Sequence, residues 1–471
     1  MAEQMLQFVK TDQEMPQKRL KEERAQDFLE IYGEFILEKA KTQSSRCSQC
    51  GVPFCQTGCP LQNNIPDWLK LAATGRLEEA YQISAATNPL PEICGRICPQ
   101  DRLCEQNCVI EQSTHGTVTI GAIERFITET AFANNWVPPI AKGANKSQKV
   151  AIIGSGPAGI AAAQSLVGFG YEVTIFDRHD RAGGLLVYGI PGFKLEKEVV
   201  TRRIEQLEEA GVTFKLSTEI GKDISFAQLK NEFDAVLIAT GVYAARGLGI
   251  GEDNQVIQAL DYLIASNKIG FGDKVPAFES GQLNAKGKKV VVIGGGDTAM
   301  DCVRTAIRQG AKSVTCLYRR DRKNMPGSTR EVTNAEEEGV VFEWLRAPKS
   351  LVIQGGNIVG VNVAKMRLGE RDKADRQSIE EIKGSDHVLD ADMVVAALGF
   401  EPEELPMTFE HPELALTKWN TVAIDANSGL TSVDGVFSAG DIVRGASLVV
   451  WALKDGMEAA TNIHNYLREK I

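Results

Sequence analysis

Eight of the ten cysteines lie between residues 47 and 108, in two runs: Cys47-x2-Cys50-x4-Cys55-x3-Cys59-Pro60 and Cys94-x3-Cys98-x5-Cys104-x3-Cys108. The rest of the chain holds only Cys302 and Cys316. Thiolates at close, irregular spacing, one of them followed by proline, are how proteins hold cubane iron–sulfur clusters. Two runs imply two clusters, and clusters carry single electrons. A disulfide framework is one alternative. It belongs to secreted, usually small proteins, and the polar, charged opening of this chain is not expected to act as a signal peptide. A zinc ribbon is the other. It would need two Cys-x2-Cys knuckles or Cys/His pairs, whereas only Cys47 and Cys50 have that spacing and only His115 is nearby.

Two glycine-rich turns carry the second kind of chemistry. Gly154-Ser155-Gly156-Pro157-Ala158-Gly159 follows the apolar run Lys149–Ile153 and precedes an alanine-rich helical stretch. This strand–turn–helix context is what a dinucleotide-binding fingerprint requires. Gly154 permits the tight turn, Gly156 lets the backbone approach a pyrophosphate at the helix N-terminus, and Gly159 allows close strand–helix packing. Asp177 ends the next predicted strand, where an acid accepts hydrogen bonds from a ribose hydroxyl. The pattern recurs as Lys289–Ile293, then Gly294-Gly295-Gly296-Asp297-Thr298-Ala299, then the strand 313–318. Here the position after the second strand is Arg319-Arg320. Two guanidiniums suit a 2′-phosphate, so this turn is expected to take NADPH in preference to NADH.

The elements that must position these residues follow from length and periodicity. A chain of 471 residues is too long for one core and is expected to form about three domains. Residues 1–45 carry Phe28, Ile31, Tyr32, Phe35 and Ile36 at helical spacing, which predicts an amphipathic helix. Helices are also predicted at 65–73 and 77–85. Residues 137–147 have linker composition. The net charge of −10 argues against a nucleic-acid partner. No apolar run reaches the ~18 residues of a membrane span, and the expected location is cytoplasmic. Cys302 and Cys316 are expected to be single core thiols.

Three later patterns sharpen the picture: Gly183-Gly184-Leu185, the strand 233–239 ending in Thr240-Gly241, and the strand 431–439 ending in Gly440-Asp441, followed by Gly445-Ala-Ser447. With the first glycine turn they resemble the two-dinucleotide-binding-domain flavoprotein family. The resemblance implies FAD held by Gly154, Ser155, Gly156, Pro157, Ala158, Gly159, Asp177, Gly184, Leu185, Thr240, Gly241, Gly440, Asp441 and Ser447. It implies NADPH held by Gly294, Gly295, Gly296, Asp297, Thr298, Arg319 and Arg320. The expected fold is α/β, with two Rossmann-like domains and an N-terminal α-helical iron–sulfur domain. The iron–sulfur domain takes 1–145, a split FAD domain 146–255 and 400–471, and an inserted NADPH domain 256–399. Neither dithiol of the disulfide-reducing members is present: the stretch 184–192 lacks cysteine, and Cys302 and Cys316 fall on different predicted elements. Electrons are therefore expected to leave through the N-terminal cysteines.

The whole chain resembles the family of small (β) subunits of NADPH-dependent glutamate synthase. The resemblance rests on Arg46-Cys-Ser-Gln-Cys-Gly-Val-Pro-Phe-Cys55, Cys59-Pro60, Asn64-Ile-Pro-Asp-Trp68, the stretch Cys94–Cys104 and Gly121-Ala-Ile-Glu-Arg125. Dihydropyrimidine dehydrogenase shares the module. The resemblance implies two 4Fe–4S clusters. One would be held by Cys47, Cys50, Cys55 and Cys108, the other by Cys59, Cys98, Cys104 and Glu124, with Cys94 as the alternative eighth ligand. It implies oxidation of NADPH at FAD and electron delivery to an FMN-containing large (alpha) subunit, which makes glutamate from glutamine and 2-oxoglutarate. This chain opens Met1-Ala2 and is not expected to hydrolyse glutamine itself, for which that large subunit uses an N-terminal cysteine. The alternative is a reductase subunit for another acceptor, dihydropyrimidine dehydrogenase-like or ferredoxin-type. A non-catalytic assembly role is disfavoured by the intact cofactor motifs.

Overall fold

The computed structural model describes residues 5–250, 255–371 and 377–470; Met1 and Ala2 lie outside them. The first glycine turn belongs to a five-stranded parallel sheet. Its strand order is Val436–Ser438, Ala235–Ile238, Lys149–Ile153, Glu172–Phe176, Thr213–Lys215. Residues Val150 to Ile153 are all buried, as a parallel strand covered on both faces must be. The C-terminal strand pairs Val436 with Val236 and Ser438 with Ile238, so the end of the chain completes a sheet begun near residue 149. Helix Val449–Glu469 then lies along helix Pro157–Phe169. Gly456 makes this possible, because a Cβ there would collide with the carbonyl oxygen of Ala158.

The second sheet repeats the plan, in the order Ile257–Gln258, Met393–Ala396, Lys289–Ile293, Ser313–Tyr318, Val341–Trp344. A two-stranded ribbon, Ala244–Ala245 with Phe400–Glu401, links the two sheets. The sequence reading did not foresee the antiparallel sheet formed by Arg346–Gln354, Asn357–Arg371, Gln377–Glu381 and His387–Asp390. Its first hairpin turns on Gly355-Gly356, both at positive φ, a two-residue loop of the kind that favours hairpins.

The N-terminal region is helical around Trp68, Leu69, Tyr81, Ile123 and Ile127. Helices Ile65–Ala73 and Leu77–Ala85 form where their periodicity placed them. The amphipathic helix expected over the first 45 residues does not form. Lys21–Arg24 makes one turn and Leu37–Ser44 is helical, but the segment between is an extended strap. Its backbone bonds are long-range: Arg19 N to Ile31 O, Ile31 N to Phe193 O and Gly33 N to Gln17 O. Ile31 and Phe35 are buried while Ile36 is 73 % exposed. The apolar spacing therefore serves two neighbouring surfaces rather than one helix face.

Candidate functional site

The cysteines assemble in two neighbouring groups. Cys47 follows helix Leu37–Ser44, Cys55 sits on the single turn Phe54–Thr57, and Cys108 returns from the end of the second run. Burial, then the nearby Cys108, Cys47 and Cys50, push the Cys55 thiol up to about 12. Cys59, Cys94, Cys98, Cys104 and Glu124 line one cavity, with Asn88, Trp68 and Val450. Burial, then Cys94 and Glu124, push Cys59 up to about 11. Cys104 feels both Cys59 and Cys55, so the groups are adjacent. Thiols buried together in this way are destabilised as thiolates until a cation neutralises them. No cysteine is disulfide-bonded. Among the described residues no three His, Cys, Asp or Glu side chains converge tightly enough for a single metal ion. Eight thiols at irregular spacing, gathered in two adjacent groups, fit iron–sulfur clusters better than zinc.

Glu124 and Cys94 face the same cavity, and the fold does not choose between them. Glu124, on helix Ile120–Ala133, accepts from Ser84 Oγ and Asn88 Nδ2, each at 3.2 Å on Oε1; burial pushes its carboxyl up to about 7. Cys94 Sγ is 3.6 Å from Asn88 Oδ1. Arg46 directly precedes Cys47. It is fully buried and donates to the carbonyls of Thr11, His115, Gly116 and Thr117, which ties the chain's opening to the loop beyond Cys108.

The first glycine turn opens on a cleft with about 900 Å³ of empty space. Gly154, Gly156, Pro157, Ala158, Asp177, Gly184, Leu185, Thr240, Gly241, Gly440, Asp441 and Ser447 all line it, although they come from three distant stretches of chain. Gly154, at φ 110, has no room for a Cβ against Ala239, whereas Gly156 faces open space with nothing within 4 Å. Ser155 and Gly159 lie beneath the turn instead. Ser155 N donates to Asp177 Oδ2 at 2.8 Å, and a Cβ at Gly159 would strike the Gly154 carbonyl. Thr240 Oγ1 is buried without a partner, and burial pushes Asp441 up to about 6 against the lowering hydrogen bond from Ser447 N. An open glycine backbone, an unsatisfied hydroxyl and a buried acid are what a polar dinucleotide would satisfy. A second cavity of about 630 Å³ continues past Asp177 and includes residues the sequence reading missed. Arg178 stacks 4.6 Å from the Tyr243 ring and pairs with Glu403 at 2.9 Å; His179 Nε2 is also buried without a partner. Arg178 and His179 directly follow Asp177, which was the available signal.

The second turn repeats the geometry. Gly294, at φ 151, excludes a Cβ against Ala397, a Cβ at Gly295 would meet the Tyr318 ring, and Gly296 is open. Asp297 and Thr298 begin helix Asp297–Arg308. Arg319 is exposed at the strand end, whereas Arg320 is 8 % exposed and gives its Nε to the Gln377 carbonyl at 3.2 Å. The two arginines are thus not equivalent, which the sequence could not distinguish.

Comparison with known proteins decides the family. Residues 24–136 match the model for dihydropyrimidine dehydrogenase domain II, 4Fe-4S cluster, and residues 148–456 match pyridine nucleotide-disulphide oxidoreductase. The glutamate synthase (NADPH) small chain of Azospirillum brasilense is 59 % identical, covering 99 % of this chain and 97 % of that protein; its Escherichia coli (strain K12) counterpart is 45 % identical over 99 % and 100 %. The chain belongs to the glutamate synthase (NADPH) small-chain family. It is an NADPH-dependent flavin and iron–sulfur oxidoreductase. In fold it resembles FprA of Mycobacterium tuberculosis in complex with NADPH, with a TM-score of 0.58 at 19 % identity over 69 % of this chain and 85 % of that one. Lactococcus lactis thioredoxin reductase gives 0.51 at 20 % identity over 69 % and 100 %. Within this small-chain fold Cys302 and Cys316 are fully buried, and burial pushes Cys316 up to about 12, so neither is an accessible electron acceptor. Among the described residues no helix is long and apolar enough to cross a membrane.

Proposed function

We propose that this chain is the electron-input subunit of glutamate synthase, taking reducing equivalents from NADPH and delivering them to a large subunit that makes glutamate from glutamine and 2-oxoglutarate. One observation supports this above the others. Helix Val449–Glu469 begins at the flavin cleft, which Leu448, Val449 and Ala452 line, while Val450 faces the cavity of Cys59, Cys98 and Cys104. A single helical turn therefore separates the two sites. When bound, FAD accepts hydride from NADPH, and two 4Fe–4S clusters relay single electrons onward. The protein's part is placement. Gly154, Gly156, Asp177, Thr240, Gly440 and Asp441 would hold FAD, and Gly294–Thr298 with Arg319 and Arg320 would hold NADPH. Cys47, Cys50, Cys55 and Cys108 would hold one cluster, and Cys59, Cys98, Cys104 and Glu124 the other. The two regions are locked together by the buried pair Arg203–Glu92, at 2.8 Å, and by Leu90, Ile93 and Cys94 packing into the flavin domain's core.

A second reading keeps the reductase and changes the acceptor. It is favoured by the putative oxidoreductase AegA of E. coli, 44 % identical over 97 % of this chain but only 70 % of that protein. Both readings require the same cofactors. The anaerobically purified chain should release FAD on acid treatment and contain about eight iron atoms; FMN, or zinc in place of iron, would sink both.

A further inference from the structure

The coenzyme turn carries a charge that opposes its ligand. Asp297 is the first residue of helix Asp297–Arg308, at the N-terminus that receives a pyrophosphate in a βαβ unit. A carboxylate there repels a diphosphate. Two groups restrain it: Ser328 N donates to Oδ1 at 2.9 Å, and Arg102 Nη2 reaches Oδ2 at 3.3 Å. Arg102 does not belong to the coenzyme domain. It lies between Cys98 and Cys104, in the loop of the second cysteine group. Its other arm donates to the Pro326 carbonyl.

The contact is part of a built junction. Asp101 accepts from Ser328 Oγ at 3.1 Å and from Thr329 N at 3.0 Å, capping helix Thr329–Glu337 from outside its own domain. Arg330 reaches back to Gln100 at 3.0 Å and Glu105 at 2.9 Å. Gly327 N donates to Gly295 O at 2.9 Å. The loop 326–330 is thus held between the glycine turn and the cysteine loop.

We propose that Arg102 is a coenzyme-positioning residue supplied by the iron–sulfur domain, its guanidinium neutralising Asp297 so that the turn accepts the diphosphate of NADPH. The inference rests on NADPH occupying the turn Gly294–Thr298. The pair is solvent-accessible, with side chains 40 % and 34 % exposed, so it contributes little to stability. Its effect falls on an anion brought close to a carboxylate whose other compensation is the Ser328 N–H and the more distant Lys194 ammonium.

The test titrates NADP+ into the oxidised holoprotein by calorimetry. Arg102→Ala should weaken binding about tenfold, equivalent to about 1.4 kcal/mol, with flavin and iron content unchanged. Adding Asp297→Asn should restore most of that loss, because no carboxylate remains to be neutralised, and Arg102→Lys should retain most of the affinity. A purely structural role for Arg102 gives the loss without the rescue and overturns the proposal, as does unchanged affinity in Arg102→Ala. Should Arg102→Ala lose its iron, Asp297→Asn alone decides: equal or tighter NADP+ binding supports the inference and weaker binding overturns it. A wild-type protein that takes up no NADP+ would refute the coenzyme assignment itself.

Discussion

At the scale of single residues, the two glycine turns are set by backbone geometry and the arginine pair by its surroundings. Gly154 and Gly294 announce themselves because only glycine fits a positive φ pressed against a neighbouring strand's carbonyl. Ser155 reads as a ligand from its place in the motif, yet its donors serve Asp177. Tyr243 and Glu403 carry no local signal, because each reaches the cleft through the topology. The arginine pair shows the same limit. Arg319 is exposed at the strand end, and Arg320 is buried and gives its Nε to the Gln377 carbonyl. Replacing Arg319 with alanine should therefore weaken NADPH by roughly 1.5–3 kcal/mol, the worth of a charge-assisted contact, and leave NADH almost unchanged in kcat/KM. Arg320→Ala should in addition lower thermal stability, since it removes a buried side chain and strips a donor from the half-buried Gln377 carbonyl. Equal losses for both coenzymes in Arg319→Ala would show that it does not read the 2′-phosphate.

At the scale of elements, apolar runs leading into glycine turns identify the parallel strands, and period-3.6 stretches identify helices 65–73 and 77–85. The strap departs from the expected helix because its apolar residues do not share one face: Ile31 and Phe35 are buried, Ile36 is exposed, and Phe28 and Ile31 both meet Phe193, through its ring and its backbone carbonyl. The antiparallel sheet was missed although Gly355-Gly356 marked its first turn. Helix Val449–Glu469 matters most to the site, because it covers the flavin cleft and meets the cysteine cavity. Its approach to helix Pro157–Phe169 depends on Gly456. Gly456→Ala should destabilise the flavin domain by about 1–3 kcal/mol, as overpacking does, and release FAD more readily on dilution. Gly270→Ala is the control: a Cβ there meets nothing within 4 Å, so thermal melting should be unchanged or slightly raised. Equal melting temperatures for Gly456→Ala and wild type would mean that the helices separate without cost.

At the scale of the whole molecule, the coenzyme region meets the other two largely through charged side chains, whereas Leu90, Ile93 and Cys94 of the cysteine region share the flavin region's core. Arg24, at the end of the turn Lys21–Arg24, and Lys18 just before it reach Glu337 at 2.8 Å each. Arg304 and Arg308 converge on Glu338; burial alone would raise that carboxyl, but both guanidiniums outweigh it and hold it down at about 2. Phe193 of the flavin domain lies 4.4 and 4.0 Å from these same two guanidiniums. The buried pair Arg203–Glu92 and the core contacts of Leu90, Ile93 and Cys94 hold the cysteine region beside the flavin cleft, and Cys302 and Cys316 are buried and form no accessible dithiol. The central claim is therefore that electrons leave the flavin domain through the cysteine-bearing domain. The direct measurement uses Cys50→Ser, assayed with NADPH and a small flavin-oxidising dye, and separately with the large subunit, glutamine and 2-oxoglutarate. NADPH should still reduce the flavin and the dye, while glutamate formation should be lost. Full glutamine-dependent glutamate formation by a Cys50→Ser protein lacking that cluster would contradict the account and show that the flavin reaches its acceptor directly.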